Sequence, residues 1–70
     1  MLPNEHPKRV LRLPAVKNKT GKSQTAIYAD MAAGTFPQNF PIGPQTVGWL
    51  ESEIDEWIAA CVAERDAKAA

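Results

Sequence analysis

The sequence predicts a mainly α-helical domain with a small β-hairpin, in the order helix, turn, helix, wing, helix. Three observations predict this winged helix-turn-helix fold. A glycine and a serine separate two short helical stretches at residues 20–24, prolines exclude a helix from residues 36–49, and apolar residues recur at helical spacing from Ile54 onward. The 70 residues are expected to form a flexible arm at 1–10, the domain at 11–65 and a frayed tail at 66–70.

The first helix is predicted within the stretch LRLPAVKNKTG, residues 11–21. Pro14 suits a first helical turn, because the N–H that proline lacks would have no helical partner there. Leu13 and Val16 are three residues apart and would share the inward face. Gly21 would end the helix, since glycine adopts the left-handed conformation that helix ends often need.

The second helix is predicted to begin after Ser23, whose side chain can accept a hydrogen bond from a backbone N–H of the first turn. Ile27 and Met31 are four residues apart and would form its inward stripe, and Gly34 would end it. In helix-turn-helix proteins this helix enters the major groove of DNA. Here it carries no Lys or Arg between Ser23 and Pro37.

The segment FPQNFPIGPQTVGW, residues 36–49, predicts the wing. Its prolines exclude a helix, because proline lacks an amide hydrogen and clashes with the preceding turn. Two short runs around Ile42 and Val47 have strand character. Between them, GPQT at residues 43–46 predicts a turn with proline at its second position.

The last helix gives the strongest periodic signal in the chain. Its apolar residues follow the i, i+3, i+4, i+7, i+8 pattern: Ile54, Trp57, Ile58, Cys61 and Val62. Ser52 is predicted to cap this helix, and the acidic residues from Glu51 to Glu56 suit the positive end of its dipole. Cys61, the single cysteine, is interpreted as a small packing residue. The predicted core comprises Leu13, Val16, Ile27, Met31, Phe36, Val47, Trp49, Ile54, Trp57 and Ile58.

The net charge is zero, but the charges are unevenly distributed along the chain. Residues 1–22 carry six Lys or Arg and one Glu, whereas residues 23–50 carry only Asp30. Residues 51–70 carry six acidic residues and two basic ones. A basic front and an acidic back favour an oriented molecule, although two ordinary solvated faces would give the same counts. Together with the fold, the basic front favours nucleic-acid binding.

The sequence offers no signature of catalysis, of a metal site or of a cofactor. His6, the single histidine, lies in the expected arm, and the chain has no HExxH motif and no glycine-rich phosphate loop. Glu51, Glu53 and Asp55 are spaced by two, which points them apart on a helix. No stretch approaches the ~20 apolar residues that a membrane span needs. We expect a cytoplasmic, nucleoid-associated protein without enzymatic activity.

Four stretches resemble the AlpA family of small phage and prophage regulators: RLPAVKNKTG, TAIY, AGTFP and VGWLESEIDEWI. The last of these, residues 47–58, is the longest and the most specific, and the resemblance covers about residues 11–62. It implies a winged helix-turn-helix of the MerR-like and excisionase-like kind. Such proteins bind DNA near integration genes, where they activate transcription of an integrase or assist excision by bending DNA.

Several positions depart from the family pattern, most of them by lacking a positive charge. Family members usually have Arg where this chain has Gln24, and they often have Leu where it has Lys22. Basic residues are also frequent in the family at the positions of Ala29, Asp30, Ala32, Gln38 and Gln45. The chain therefore lacks several expected phosphate contacts and carries its positive charge upstream.

The resemblance and the helical geometry together give a candidate DNA interface. The candidate base-reading residues are Gln24, Thr25, Tyr28 and Ala29, since Gln can pair with adenine and Thr offers thymine a hydroxyl and a methyl. The candidate phosphate contacts are Arg9, Arg12, Lys17, Lys19, Lys22 and Ser23, and the candidate wing contacts are Gln45 and Thr46. So few cations predict modest affinity with a shallow salt dependence.

Two hypotheses of function remain open. In the first, the chain binds specific double-stranded DNA and regulates transcription of integration and excision genes, with an excisionase-like DNA-bending role as its variant. In the second, the same scaffold binds a host or phage protein, which the uncharged second helix and the acidic last helix favour. The candidate partners are double-stranded DNA, an integrase, RNA polymerase and a second copy of the chain.

Overall fold

The computed structural model describes residues 9–69 of the chain. The elements in chain order are β1 (Val10–Leu11), α1 (Leu13–Thr20), α2 (Gln24–Ala33), β2 (Phe40–Gly43), β3 (Thr46–Leu50) and α3 (Glu51–Ala69). This order confirms the predicted mainly helical winged helix-turn-helix fold. It adds one strand, β1, which the sequence does not predict.

The added strand makes the wing a three-stranded antiparallel sheet in the order β1-β3-β2. Val10 pairs with Leu50, and Leu11 pairs with Trp49. The structure thus places Val10 in the sheet instead of in the expected arm, and Leu11 in the sheet instead of in the first helix. A strand of two residues has no periodicity to detect, and its partner lies far along the chain. The rest of the expected arm, residues 1–8, lies outside the described residues.

The two helices of the helix-turn-helix begin and end at the predicted signals. Pro14 lies in the first turn of α1, and Gly21 ends α1 with φ 74° while its N–H donates to the Lys17 carbonyl at 2.8 Å. Ser23 precedes α2, and its Oγ accepts a hydrogen bond from the Ala26 N–H at 3.1 Å. Gly34 ends α2 with φ 80°. Glycine is the residue that takes these left-handed values at least cost.

The hairpin turn lies where the sequence predicts it, between β2 and β3. Pro44 and Gln45 occupy its two central positions. Gln45 has φ 59°, the left-handed value that the third position of a type II turn requires. The Thr46 hydroxyl donates to the Pro44 carbonyl at 3.2 Å and fixes the turn from the side of β3.

The last helix differs from its prediction at both ends. It begins at Glu51 directly after β3, so the prediction that Ser52 caps it is wrong, because Ser52 is already the second helical residue. The Glu51 N–H donates instead to the Arg9 carbonyl at 2.7 Å, so the β1 segment satisfies it. The helix also continues to Ala69, where the sequence analysis expects fraying from Asp66 onward, and Ala70 lies outside the described residues.

The buried core lies between the helices and the sheet. Its buried members are Leu11, Val16, Ile27, Phe36, Trp49 and Ile54, with Leu13, Met31, Trp57 and Ile58 packed against them. Nine of the ten predicted core residues are in this set, and Leu11 is the residue that the prediction missed. No helix among the described residues is long and apolar enough to cross a membrane.

Three apolar residues that are predicted to face the core are exposed. Val47, a predicted core residue, is 36% exposed and pairs with Pro41 in the hairpin. Cys61 is exposed rather than a packing residue, and Val62 is 42% exposed. Both lie in the second half of α3. Among residues 9–69, no buried core residue lies in that half of the helix.

Candidate nucleic-acid interface

The predicted base-reading residues lie together on the exposed face of α2. Gln24, Thr25, Tyr28 and Ala29 are all exposed. On the opposite side of the same helix, Ile27 is completely buried, and Met31 packs against the core. The helical period thus divides α2 as the sequence predicts, and the polar set in its first two turns faces solvent.

Tyr28 is held in position by the core although it is 39% exposed. Its ring meets the buried Trp49 ring edge to face, with 6.3 Å between centroids and 66° between planes. Such an aromatic pair is worth about 0.5–1.5 kcal/mol beyond the area it buries. Contact with Trp49 already restricts the conformations of the Tyr28 side chain. A partner that binds the exposed part of the ring therefore causes little further loss of side-chain entropy.

Ser23 marks the N-terminal end of α2, where the unpaired N–H groups and the helix dipole favour an anion. The Ser23 side chain is exposed, and its Oγ is already the acceptor of the cap hydrogen bond from Ala26. A serine hydroxyl also has one hydrogen to donate. Ser23 can therefore cap the helix and donate to a phosphate oxygen at the same time.

Lys19, a predicted phosphate contact, is occupied by carboxylates of the same molecule. Its Nζ lies 2.7 Å from Asp55 Oδ1 and 2.9 Å from Glu51 Oε2. Hydrogen bonds to Asp55 and then to Glu51 raise the pKa of Lys19, since they favour its charged form. The ammonium joins the end of α1 to the start of α3 and is less available to DNA than the sequence predicts.

Lys22 and Arg9 also have partners within the described part of the chain. Lys22 Nζ pairs with Asp30 Oδ2 and lies 5.5 Å from the centroid of the Trp57 ring. Arg9 Nη1 lies 3.5 Å from Glu51 Oε2, but its side chain is 71% exposed. Asp30 is the one acidic residue of α2. Its negative charge, which lies beside the exposed face, is neutralised by the ion pair with Lys22.

The two remaining predicted phosphate contacts, Arg12 and Lys17, are exposed and have no ion-pair partner among residues 9–69. Arg12 is the residue directly before α1, and Lys17 lies in its second half. The sequence could predict the five cations but not their partners, because Asp30 of α2 and the carboxylates of α3 come close to them only in the folded chain. Among the predicted phosphate contacts, the exposed and unpaired cations of residues 9–69 are therefore Arg12 and Lys17, and Arg9 is loosely paired.

The two predicted wing residues differ in the exposure and the hydrogen bonding of their side chains. Gln45 is exposed at the tip of the hairpin and has a left-handed backbone conformation. Thr46 is half-buried, and its hydroxyl is hydrogen-bonded to the Pro44 carbonyl. Of the two predicted wing contacts, Gln45 is the one whose side chain is free to reach a neighbouring groove or backbone.

The described residues contain no group of three or more His, Cys, Asp or Glu side chains that could hold a metal ion. The interface consists instead of exposed polar side chains on a rigid helix, a helix N-terminus and nearby cations. This arrangement can form hydrogen bonds to base edges and to phosphates.

The fold and this exposed helix define a small winged helix-turn-helix protein. The family model described as "Prophage CP4-57 regulatory protein (AlpA)" matches residues 9–62. The chain belongs to the AlpA family. Because this is a family of transcriptional regulators, membership agrees with the expectation of a protein that is not an enzyme.

Two relatives are similar to this chain over most of its length. It is 44% identical over 57 residues to the "DNA-binding transcriptional activator AlpA" of Escherichia coli (strain K12), covering 73% of this chain and 81% of the relative. It is 38% identical over 64 residues to "Uncharacterized protein ORF88" of Enterobacteria phage P4, covering 91% of this chain and 73% of the relative. No solved structure matches the chain.

Proposed function

We propose that this chain is a sequence-specific, double-stranded DNA-binding protein that regulates transcription of the integration and excision genes of a prophage. The observation that carries the proposal is the exposed polar face of α2, with Gln24, Thr25 and Tyr28 in its first two turns. A DNA-binding transcriptional activator 44% identical to this chain supports it.

In the proposed complex the first half of α2 lies in the major groove. Gln24 forms two hydrogen bonds with an adenine edge, and Thr25 contacts a thymine methyl. Tyr28, braced by Trp49, donates to a phosphate or a base edge. Ala29 lets the helix approach the bases closely, because its side chain is a single methyl group.

The backbone of the DNA is held by fewer charges than in a typical basic reader. Arg12 and Lys17 supply exposed cations, and the N-terminal end of α2 at Ser23 supplies N–H groups and a dipole. Lys19 and Lys22 contribute mainly to the scaffold, since carboxylates already neutralise them. Weak non-specific attraction makes the base contacts a larger share of the binding energy.

Selection of bound DNA from a random library tests this proposal. The full chain is incubated with the library at low salt, and the bound fraction is amplified and sequenced over several rounds. The proposal predicts enrichment of a short motif that fits one major-groove face, and repeated copies of it would reveal a dimer or a cooperative assembly. A library that stays as random as a protein-free control would contradict the proposal.

A further inference from the structure

A groove lies between the loop that follows α2 and the first two turns of α3. One side of it is the segment 34–38, and the other is formed by Glu53, Glu56 and Trp57. Its volume is about 530 Å³, and it is open to solvent along its length. None of the residues proposed above to contact DNA lines it.

The two acidic residues of this groove differ from the other acidic residues of the described chain. Asp30, Glu51, Asp55, Glu64 and Asp66 each form an ion pair. Among residues 9–69, only Glu53 and Glu56 have no cationic partner within 4.0 Å. They are three positions apart on α3 and therefore lie on the same face. Within the part of the chain that the structure describes, the groove therefore has two carboxylates without an ion-pair partner.

Trp57 forms the aromatic wall of the groove. Its ring packs edge to face on the buried Phe36 ring, with 5.0 Å between centroids, and its Nε1–H donates to the Thr35 carbonyl at 3.0 Å. The Lys22 ammonium lies 5.5 Å from the ring centroid, so this indole already attracts a cation. An aromatic face beside two carboxylates is suited to a cationic side chain with an apolar stem.

Further side-chain hydrogen bonds hold the loop side of the groove. Gln38 Nε2 donates to the Met31 carbonyl at 2.9 Å and lies 3.4 Å from the Phe36 carbonyl. The Trp49 indole donates to the Pro37 carbonyl at 3.1 Å. Because these contacts hold the loop, the groove exists before any partner arrives, and binding needs little reordering of the chain.

We infer that this groove binds an arginine- or lysine-bearing segment of a partner protein. The guanidinium or ammonium group lies between Glu53 and Glu56, and its aliphatic stem packs on Trp57. The two carboxylates repel phosphate, which disfavours nucleic acid at this face. The groove begins at Gly34, which is roughly 8 Å from Ala29 and roughly 15 Å from Gln24 along α2 at 1.5 Å per residue. Because the groove shares no residue with the proposed reading set, DNA and a basic protein segment can bind at once.

The probe for this inference is the blocked peptide acetyl-Leu-Arg-Ala-Arg-Leu-amide, titrated into the full chain. The Trp57 indole N–H signal in an NMR spectrum is the reporter, since Trp57 lines the groove. We expect this signal to shift as the peptide is added. The double variant E53Q/E56Q should weaken this binding about three- to tenfold, the value of two exposed ion pairs.

The double variant E64Q/D66N is the matched control, because it removes two charges from the same helix outside the groove. It should bind the peptide as the unmodified chain does. Both double variants should keep the affinity of the chain for DNA. A failure of this inference can therefore be distinguished from a failure of the proposed function. Equal binding of a citrulline peptide, or unchanged binding by E53Q/E56Q, would overturn the inference. The inference would also be overturned if the Trp57 signal shifted with the concentration of the chain alone, without peptide, and light scattering gave the mass of a dimer. A second copy of the chain would then occupy the groove.

Discussion

Lys19 lies between two carboxylates of α3, Asp55 and Glu51, at 2.7 and 2.9 Å. The sequence presents it as one more cation near a helix-turn-helix, and only the fold brings its partners to it. Its pKa is raised above its ordinary value near 10.5, first by the hydrogen bond to Asp55 and then by that to Glu51. The residue therefore contributes to joining α1 and α3 as long as it is protonated.

This raised pKa predicts the pH dependence of stability. The contribution of Lys19 is fully present below its unfolded pKa and is lost as the pH rises through the higher folded pKa. We expect the melting temperature to fall as the pH rises above about 10.5, and to fall less in Lys19→Met. Lys17→Met, which removes an unpaired lysine from the same helix, should retain the full dependence. Identical profiles for the two variants would contradict this role of Lys19.

Ser23 and Ser52 provide a second comparison at the residue scale. Ser23 caps α2 through the hydrogen bond from Ala26, whereas Ser52 lies inside α3. Ser23→Ala should lower the free energy of unfolding by about 1 kcal/mol in urea denaturation. Ser52→Ala should change it by less than about 0.5 kcal/mol, as is usual at an exposed position. An equal loss in both variants would argue against the observed start of α3.

At the scale of the elements, β1 is the feature that most changes the expected fold. Gly48 in β3 lies against it, and a side chain added at Gly48 would meet Val10, Ile42 and the Leu11 carbonyl. Its backbone φ is not in the left-handed region, so the constraint is the space between the strands. The short pairing of Val10 and Leu11 thus sets the residue that β3 can have at this position.

Gly48→Ala should therefore destabilise the domain by about 1–3 kcal/mol, the usual cost of overpacking. Gly43→Ala is the matched control, because its nearest contact would be an ordinary one at 4.0 Å from Thr46. Urea denaturation measures both, and Val10→Ala combined with Gly48→Ala should recover part of the loss. If Gly48→Ala were as stable as the original chain, β1 would not lie where the structure places it.

The sequence predicts most elements because their signals are local. Gly21, Ser23 and Gly34 act on their own helix ends, and the prolines of residues 36–49 act on their own backbone. It does not predict β1 or the start of α3, because both depend on the hydrogen bond from Glu51 to Arg9 and on pairing across the sheet. Periodicity likewise places Cys61 and Val62 on the apolar face of α3 but cannot tell that no core covers them.

At the scale of the whole molecule, the charge gradient of the sequence becomes a network of ion pairs. Acidic residues of α3 neutralise Lys19 and contact Arg9, while Arg12 and Lys17 stay unpaired within residues 9–69. The sequence could predict the exposed face of α2 from its helical period. It could not predict which cations remain free, because that depends on contacts between residues distant along the chain.

The free and the paired cations should differ in the salt dependence of DNA binding. Arg12→Gln and Lys17→Gln should each reduce the slope of log K against log salt by about one, since each removes a phosphate contact. Lys19→Gln and Lys22→Gln should leave the slope nearly unchanged, because carboxylates already neutralise those residues. Fluorescence anisotropy at several salt concentrations measures the slopes, and a reversed order would show that the ion pairs open on DNA.

The base preference of Gln24→Ala tests most directly whether the exposed face of α2 reads bases. Anisotropy titrations with a selected site and each of its single base-pair variants give the discrimination at every position. If this face reads bases, Gln24→Ala loses about 1–3 kcal/mol of discrimination at one base pair and keeps it elsewhere, while Ser52→Ala keeps it throughout. Full discrimination by Gln24→Ala at every base pair, with the same result for Thr25→Ala and Tyr28→Phe, would show that α2 does not read bases with this face.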